Sequence, residues 1–398
     1  MKQIYYSENQ NIAFDSKSIE INGKTLPKAE EDSDSSIAEN AYKKMRGIYS
    51  SILSRQYENI VVLSGSGTSF GIGTNNKYGK IMSGLWKSVV EKIGFDELEA
   101  FANIIKYKEI NRENTDLEAL LSKALVSQTF LDDQNVESTI NQIKSVIKEE
   151  CSLDLPDDAP HIVFLRKLTA RKLKYSRVKI FTLNYDLLFE QAASRGGYVV
   201  IDGFSFSYPR IFNGVNYDYD IVSRSSNRAL SDENFVTKVF HLYKPHGSLD
   251  WEKTTSDNGE SEKIVKSDNP TNPLMIYPSN SKYEYSYEQP YFEMTSRFQQ
   301  ELRNKNTLLL VLGFSFYDKH IKAMVYEALN INPSITVVVV SPSIQKENTF
   351  VELKRESSTN GNLHLVNETF RDFVKNYPSS EIYDYSKEGW QHSEPIQS

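Results

Sequence analysis

Residues 59–71 read NIVVLSGSGTSFG, a short β-branched apolar run that breaks into small residues. An apolar run of this length, bounded by a glycine-rich turn, is the pattern of a buried strand ending at a ligand-facing loop. In that loop, Gly65-Ser66-Gly67-Thr68-Ser69, small residues let backbone N–H groups come close to a pyrophosphate, and Thr68 and Ser69 add hydroxyl donors. No Gly-Lys-Ser/Thr follows, so this is not a P-loop, and the glycine spacing is not a complete dinucleotide fingerprint. Taken alone, an ordinary tight loop explains it equally well.

Working outward, similar runs recur at 177–186 (RVKIFTLNYD), 198–202 (YVVID), 238–248 (KVFHLYKPHGS), 272–279 (NPLMIYPS), 307–318 (TLLLVLGFSFYD), 334–343 (SITVVVVSPS) and 362–369 (NLHLVNET). Helical stretches, LLFEQAAS, YFEMTSRFQQELRNK and KHIKAMVYEAL, lie between several of them. Apolar strands alternating with helices predict an α/β fold with a doubly wound parallel sheet covered on both faces. From Ser83 to Glu150 apolar residues recur at helical spacing with no strand signal, and HIVFLRKLTARKL (161–173) continues the pattern. A helical insertion over 83–174 is therefore expected between the first and second strands. Residues 1–55 read as a peripheral segment, acidic at EEDSDSS (30–36), ending in a helix from Ile37 to Ser54. Residues 56–398 read as the ligand-binding domain, with a polar loop or lid from Trp251 to Asn272.

Composition narrows the function. The chain has 398 residues, 39% hydrophobic and 25% charged, which suits a folded core. No apolar run reaches the roughly 20 residues of a membrane helix, and no apolar stretch follows a basic start, so a cytoplasmic protein is expected. A net charge of −7 argues against direct nucleic-acid binding. The single cysteine, Cys151, lacks a basic neighbour and reads as inert. It cannot build a thiolate zinc site, and the histidines at 161, 241, 246, 320, 364 and 392 show no HxxxH spacing, so no metal is expected. Tyrosines cluster in NYDYD (216–220) and KYEYSYEQPYF (282–292), which suits wet contact surfaces or plain core cover.

In doubly wound sheets, ligands bind outside the carboxyl ends of the strands. The polar residues there are Ser64–Ser69, Asn184 to Asp186, His246 to Ser248 and Gly313 to Asp318. Asn184 can bind a sugar hydroxyl or hold a water; Asp186, read alone, is better explained as a helix cap. His246 is followed by glycine, so a ligand can approach, and it can take or hold a hydroxyl proton. Gly313 and Ser315 place a second tight loop beside the first, and Asp318 caps the next helix. No carboxylate pair of the glycosidase kind is visible.

Together these motifs resemble the sirtuin superfamily, which carries a glycine loop, a strand ending in Gln-Asn-Ile-Asp, a catalytic His-Gly and a Gly-Thr-Ser loop. The matches are GSGTS, LNYD, HGS and GFS, spanning Asn59 to Pro342 with Ser83–Leu173 largely unmatched. Leu183 stands where a glutamine is usual, and the zinc-ribbon cysteines are absent. These departures are similar to divergent sirtuin-like proteins of bacterial anti-phage defence, most like the standalone subunit that pairs with a HerA-type ATPase. The resemblance implies an NAD glycohydrolase, a hydrolase of the N-glycosyl bond that depletes NAD. It implies pyrophosphate on Gly65, Ser66, Gly67, Thr68 and Ser69, with Gly313 and Ser315 opposite and adenosine near Ser341. Asn184 would position the attacking water, His246 would hold or deprotonate a ribose hydroxyl, and Asp186 would contact the nicotinamide carboxamide. A homo-oligomer and an ATPase partner are implied as well. The alternatives are an NAD-dependent protein deacylase and a non-catalytic NAD or ADP-ribose sensor.

Overall fold

The computed structural model describes residues 1–27, 34–113, 115–128, 130–131, 133–223, 234–255, 262–275 and 289–379. The chain opens with strands β1 (Lys2–Tyr6), β2 (Ile12–Phe14), β3 (Ser18–Ile21) and β4 (Lys24–Pro27), then helix α1 (Asp34–Leu53) and strand β5 (Asn59–Ser64). Helices α2 (Met82–Ile93), α3 (Phe95–Ile104), α4 (Leu117–Gln128), α5 (Gln134–Cys151) and α6 (Pro160–Thr169) follow. Next come β6 (Lys179–Thr182), α7 (Leu188–Gly196), β7 (Val199–Ile201), β8 (Val239–Tyr243), β9 (Gly247–Thr255), β10 (Glu262–Lys266) and β11 (Pro273–Met275). The chain continues through α8 (Tyr291–Arg303), β12 (Thr307–Leu312), α9 (Lys319–Ile331), β13 (Ile335–Val340), α10 (Val351–Ser357), β14 (Leu363–Val366) and α11 (Phe370–Asn376).

Among the described residues, the main sheet has 11 strands in the order β4-β3-β2-β1-β14-β13-β12-β5-β6-β8-β7. From β14 to β7 every neighbouring pair is parallel. The expected doubly wound sheet is therefore present, with the helical insertion α2–α6 between β5 and β6. Burial on both faces explains why these strands read as unbroken apolar runs. Leu308, Leu310 and Leu312 of β12 join the core beneath α1, α6, α7 and α11, while Leu309 and Val311 join the core beneath α8, α9 and α10. The chain winds from β5 outward to β6, then returns to place β12 on the other side of β5. That reversal opens a crevice at the carboxyl ends of β5 and β12.

Two parts differ from the sequence reading. Within residues 1–27, β1 is built into the main sheet: it pairs antiparallel with β14, and Ile4 and Tyr5 are fully buried, while residues 22–26 at the sheet edge are exposed. These strands have only 3–5 residues each, too short for a periodic signal. Asn22-Gly23, with φ of 52° and 72°, makes the tight hairpin between β3 and β4 and was the readable cue. Within the stretch from Trp251 to Asn272, the described residues 251–255 and 262–266 are strand, where the sequence reads as a loop or lid; residues 256–261 lie outside the described residues. β9 pairs antiparallel with β10 and β11 in a separate three-stranded sheet, so Pro273–Met275 of NPLMIYPS pair there and not in the main sheet. Residues 30–33, 276–279 and the tyrosines at 283, 285 and 287 lie outside the described residues.

Helices α2–α5 enclose a third core, in which Leu117, Leu120 and Leu121 of α4 share one cluster with Tyr185 and Leu249. Tyr185 neighbours Asn184, and Leu249 follows His246-Gly247-Ser248. The insertion therefore packs onto the carboxyl ends of the sheet, where the site lies.

Candidate functional site

The loops after β5 and β12 touch backbone to backbone. The amide of Gly65 donates to Leu312 O at 2.9 Å and that of Gly67 to Gly313 O at 3.0 Å. A Cβ on Gly67 would lie 2.6 Å from Gly313 Cα, and one on Gly65 would lie 2.7 Å from Gly313 O. Gly313 also has φ +59°. The glycines are thus required by the approach of one loop to the other. The amides of Thr68 and Ser69 turn inward to Gly65 O and Ser66 O at 3.0 and 3.1 Å. The two hydroxyls do the same: Thr68 donates to Gly65 O at 2.9 Å, and Ser69 to Asp186 Oδ2 at 2.6 Å. At the crevice rim, Ser66 is exposed and Ser315 half-buried. Ser341, buried at the end of β13, accepts from the Ser343 amide at 3.2 Å.

Asn184 follows β6 and is clamped to the glycine loop. Its Nδ2 lies 3.1 Å from Gly65 O, 3.1 Å from Thr68 Oγ1 and 2.8 Å from Ser69 Oγ. This fixes the amide plane and leaves Oδ1 as an acceptor with no protein partner among the described residues. Asp186 is 7% exposed, with Oδ1 accepting from the Leu188 amide at 3.2 Å and Oδ2 from Ser69. Burial pushes its carboxyl above the usual range, opposed by the charge of Lys244. Asp186 thus ties the Leu188 amide to the glycine loop from one position ahead of the cap: the N-cap residue of α7 is Leu187, not Asp186.

His246, 3% exposed, leaves β8 just ahead of Gly247 at φ +86°. Its Nε2 pairs with Asp318 Oδ2 at 3.1 Å. Asp318 Oδ1 meanwhile accepts from the His320 and Ile321 amides at 2.8 and 3.0 Å, capping α9 as expected. Burial alone would raise the Asp318 carboxyl; the hydrogen bond and charge of His246, with the helix amides, outweigh it and hold the group below its ordinary value. An Nε2–H donated to this carboxylate leaves Nδ1 as the acceptor of the neutral ring, with no protein partner among the described residues. The cap is legible in the sequence; the bond of the second Asp318 oxygen to His246 is not.

Lys244 was missed too, although a lysine in a fully buried strand end is itself a signal. It is 1% exposed, donates to Asp186 O at 2.6 Å, Tyr185 O at 3.3 Å and Ser248 Oγ at 2.8 Å, and pairs with Glu190 at 3.1 Å. Ser248 donates to Asp250 at 2.5 Å, Asp250 pairs with Lys266 at 3.1 Å, and Lys266 with Asp202 at 2.9 Å. This buried chain ties the Asn184 and His246 loops together from beneath. Cys151, at the end of α5, has its thiol pushed up to about 12 by burial and by Asp186 and Glu150, in keeping with an inert thiol.

The insertion adds Glu118, in the first turn of α4. Burial raises its carboxyl to about 7; the charge of His246 pulls it down, and Asp318 and Asp116 push it up. The Glu118 carboxyl, remote in sequence, thus feels the charges of both members of the His246–Asp318 pair. In the sequence Glu118 is one more charge in an amphipathic helix. Among the described residues no group of three or more His, Cys, Asp and Glu could hold a metal ion, and no helix is long and apolar enough to cross a membrane.

In doubly wound α/β proteins ligands bind at such a switch point, and here the glycine loops after β5 and β12 and the segments carrying Asn184 and His246 come off neighbouring strands of the sheet. Residues 178–359 match the family model of a SIR2-like domain. The matched stretch holds Asn184, Asp186, His246, Gly313, Ser315 and Ser341, but not the Gly65–Ser69 loop or Glu118. A solved Sir2 enzyme, described for its mechanism and regulation, is similar at 12% identity and TM-score 0.37, over 83% of this chain and 95% of that one. A Sir2 in complex with an inhibitor, 2′-O-acetyl-ADP-ribose and a deacetylated peptide is similar at 13% identity and TM-score 0.34, over 83% and 96%. A third, solved for sirtuin substrate affinity, has 14% identity and TM-score 0.32, over 82% and 96%. No curated protein matches the chain.

Proposed function

We propose that this chain binds NAD across the β5–β12 crevice and hydrolyses its nicotinamide–ribose bond, releasing nicotinamide and ADP-ribose. The observation that carries this reading is the pair of held polar groups that follow the neighbouring strands β6 and β8. Asn184 is clamped by its Nδ2 and His246 is held by Asp318 through Nε2, while Asn184 Oδ1 and His246 Nδ1 have no protein partner among the described residues. In this reading the electron pair of the C1′–N bond leaves with the pyridinium nitrogen, so neutral nicotinamide departs without needing an acid. Asn184 Oδ1 orients the incoming water. His246 Nδ1 holds a ribose hydroxyl or takes its proton, and Asp318 stabilises the imidazolium that results. Ser66 and Ser315 at the rim contact the pyrophosphate on the Gly65–Ser69 and Gly313 loops, and adenosine reaches toward Ser341. Both oxygens of Asp186 are engaged within the fold, so its part is to hold the Asn184 loop; contact with the carboxamide would require the Ser69 hydroxyl to turn away.

The test is to mix the purified chain with NAD and follow free nicotinamide with and without an acyl-peptide. Turnover without peptide supports hydrolysis, turnover only with it means deacylation, and tight binding without turnover means a sensor. On the resemblance alone, we extend the proposal to a cytoplasmic homo-oligomer that depletes NAD in anti-phage defence with a HerA-type ATPase partner. Light scattering tests the oligomer, and co-purification with the ATPase tests the pairing.

A further inference from the structure

We propose that Glu118, carried by the helical insertion, is a further catalytic residue of this site: the base that takes the proton of the attacking water. The inference rests on the NAD-cleavage reading above. Its first support is placement. The apolar face of α4 is packed in one cluster with Tyr185 and Leu249, the neighbours of Asn184 and of the His246 loop, and the charges of His246 and Asp318 reach the Glu118 carboxyl. The second support is availability. Asp186, Asp318, Glu190 and Asp250 all have hydrogen bonds or ion pairs that fix them, whereas Glu118 makes neither among the described residues. A half-buried carboxylate without a partner costs stability, and such groups concentrate at functional sites.

The division of labour follows. The His246–Asp318 pair serves the ribose hydroxyl, which leaves the water without a base unless Glu118 provides one. Water oxygen adds to C1′ as nicotinamide leaves, and one water proton passes to the Glu118 carboxylate and then to solvent through its partly exposed side. The negative carboxylate also opposes the positive charge that develops on the ribose. A carboxyl near neutrality suits this exchange, and the charged groups that set it are Asp116 on its own segment, His246 after β8 and Asp318 at the start of α9.

The experiment compares wild type, Glu118→Gln, Glu118→Asp and His246→Ala as full chains, reading nicotinamide release from NAD against pH. Glu118→Gln should lower kcat about 100-fold with KM for NAD within about threefold, and abolish the rise in rate between about pH 6 and 8. Glu118→Asp should recover part of the rate and keep a pH dependence. Wild-type kcat in a folded Glu118→Gln, alongside an inactive His246→Ala, would overturn the role of Glu118 while leaving NAD cleavage intact. A wild type that releases no nicotinamide would overturn both. Thermal unfolding at pH 8, at or above the wild-type midpoint, certifies that Glu118→Gln is folded.

Discussion

Replacing Glu118 by glutamine should make the protein more stable, and more so as pH rises. Its carboxyl ordinarily titrates at 4.5 and in the fold at about 7. A group whose folded pKa is raised is tolerated in the fold when protonated and opposed when charged. Its cost is absent below about pH 4.5, grows as pH rises toward about 7, and is constant above that. At about 1.4 kcal/mol per tenfold the full interval is worth about 3 kcal/mol, which partial solvent contact reduces to roughly 1–3 kcal/mol. Glutamine keeps the shape and cannot ionise. The variant should therefore match wild type near pH 4.5 and exceed it by roughly 1–3 kcal/mol at pH 8, a few degrees in Tm. Denaturant unfolding at pH 4.5, 6 and 8 reads this difference. The exposed Glu137→Gln on α5 is the control and should stay within about 0.5 kcal/mol throughout. A Glu118→Gln variant that is less stable at pH 8, or whose difference from wild type does not change with pH, would refute a desolvated carboxylate beside His246 and Asp318.

Asp318→Asn retains an N-cap for α9 but weakens the hold on His246, so nicotinamide release should fall about 10- to 100-fold with Tm nearly unchanged, measured by turnover and calorimetry. Gly67→Ala puts a methyl 2.6 Å from Gly313 Cα and should push the two loops apart, lowering stability by roughly 1–3 kcal/mol and weakening binding of an inert NAD analogue, both readable by calorimetry. Lys244→Met removes the cation that holds Tyr185 O, Asp186 O and Ser248, and should cost about 3 kcal/mol or more in denaturant unfolding. His161 is fully buried between Phe189 and Phe370, and burial holds its ring down to about 3. It must stay neutral in the fold, so stability should fall as pH drops below about 6.5, and His161→Phe should lessen that fall in a pH series of Tm.

The α/β fold was legible where strands are buried on both faces. TLLLVL and ITVVVV have no choice of exposed side, and their apolar runs are unbroken. β1–β4 were not legible, because strands this short at a sheet edge mix polar and apolar residues; only the Asn22-Gly23 turn betrayed them. β9 and β10 failed for a related reason. GSLDWEKTT buries its first half and exposes alternate residues in its second, which reads as plain polarity. At the site, position was readable and partnership was not. Spacing put Asn184, Asp186 and His246 at strand ends, but it could not tell that Thr68 and Ser69 turn their hydroxyls inward or that Asp318 uses its second oxygen on His246. Lys244 acquires its partners, and Glu118 its charged neighbours, only when the chain brings α7 and the insertion against the sheet.

The central claim is that this site cleaves NAD with water. The direct measurement is the release of nicotinamide and ADP-ribose from NAD by the full chain, without any acyl-peptide, for wild type, Asn184→Ala and His246→Ala. Wild type should release equal amounts of the two products, and each variant that still folds should lose about 100-fold or more. No nicotinamide from wild type without an acyl-peptide, or wild-type rates from both folded variants, would contradict it.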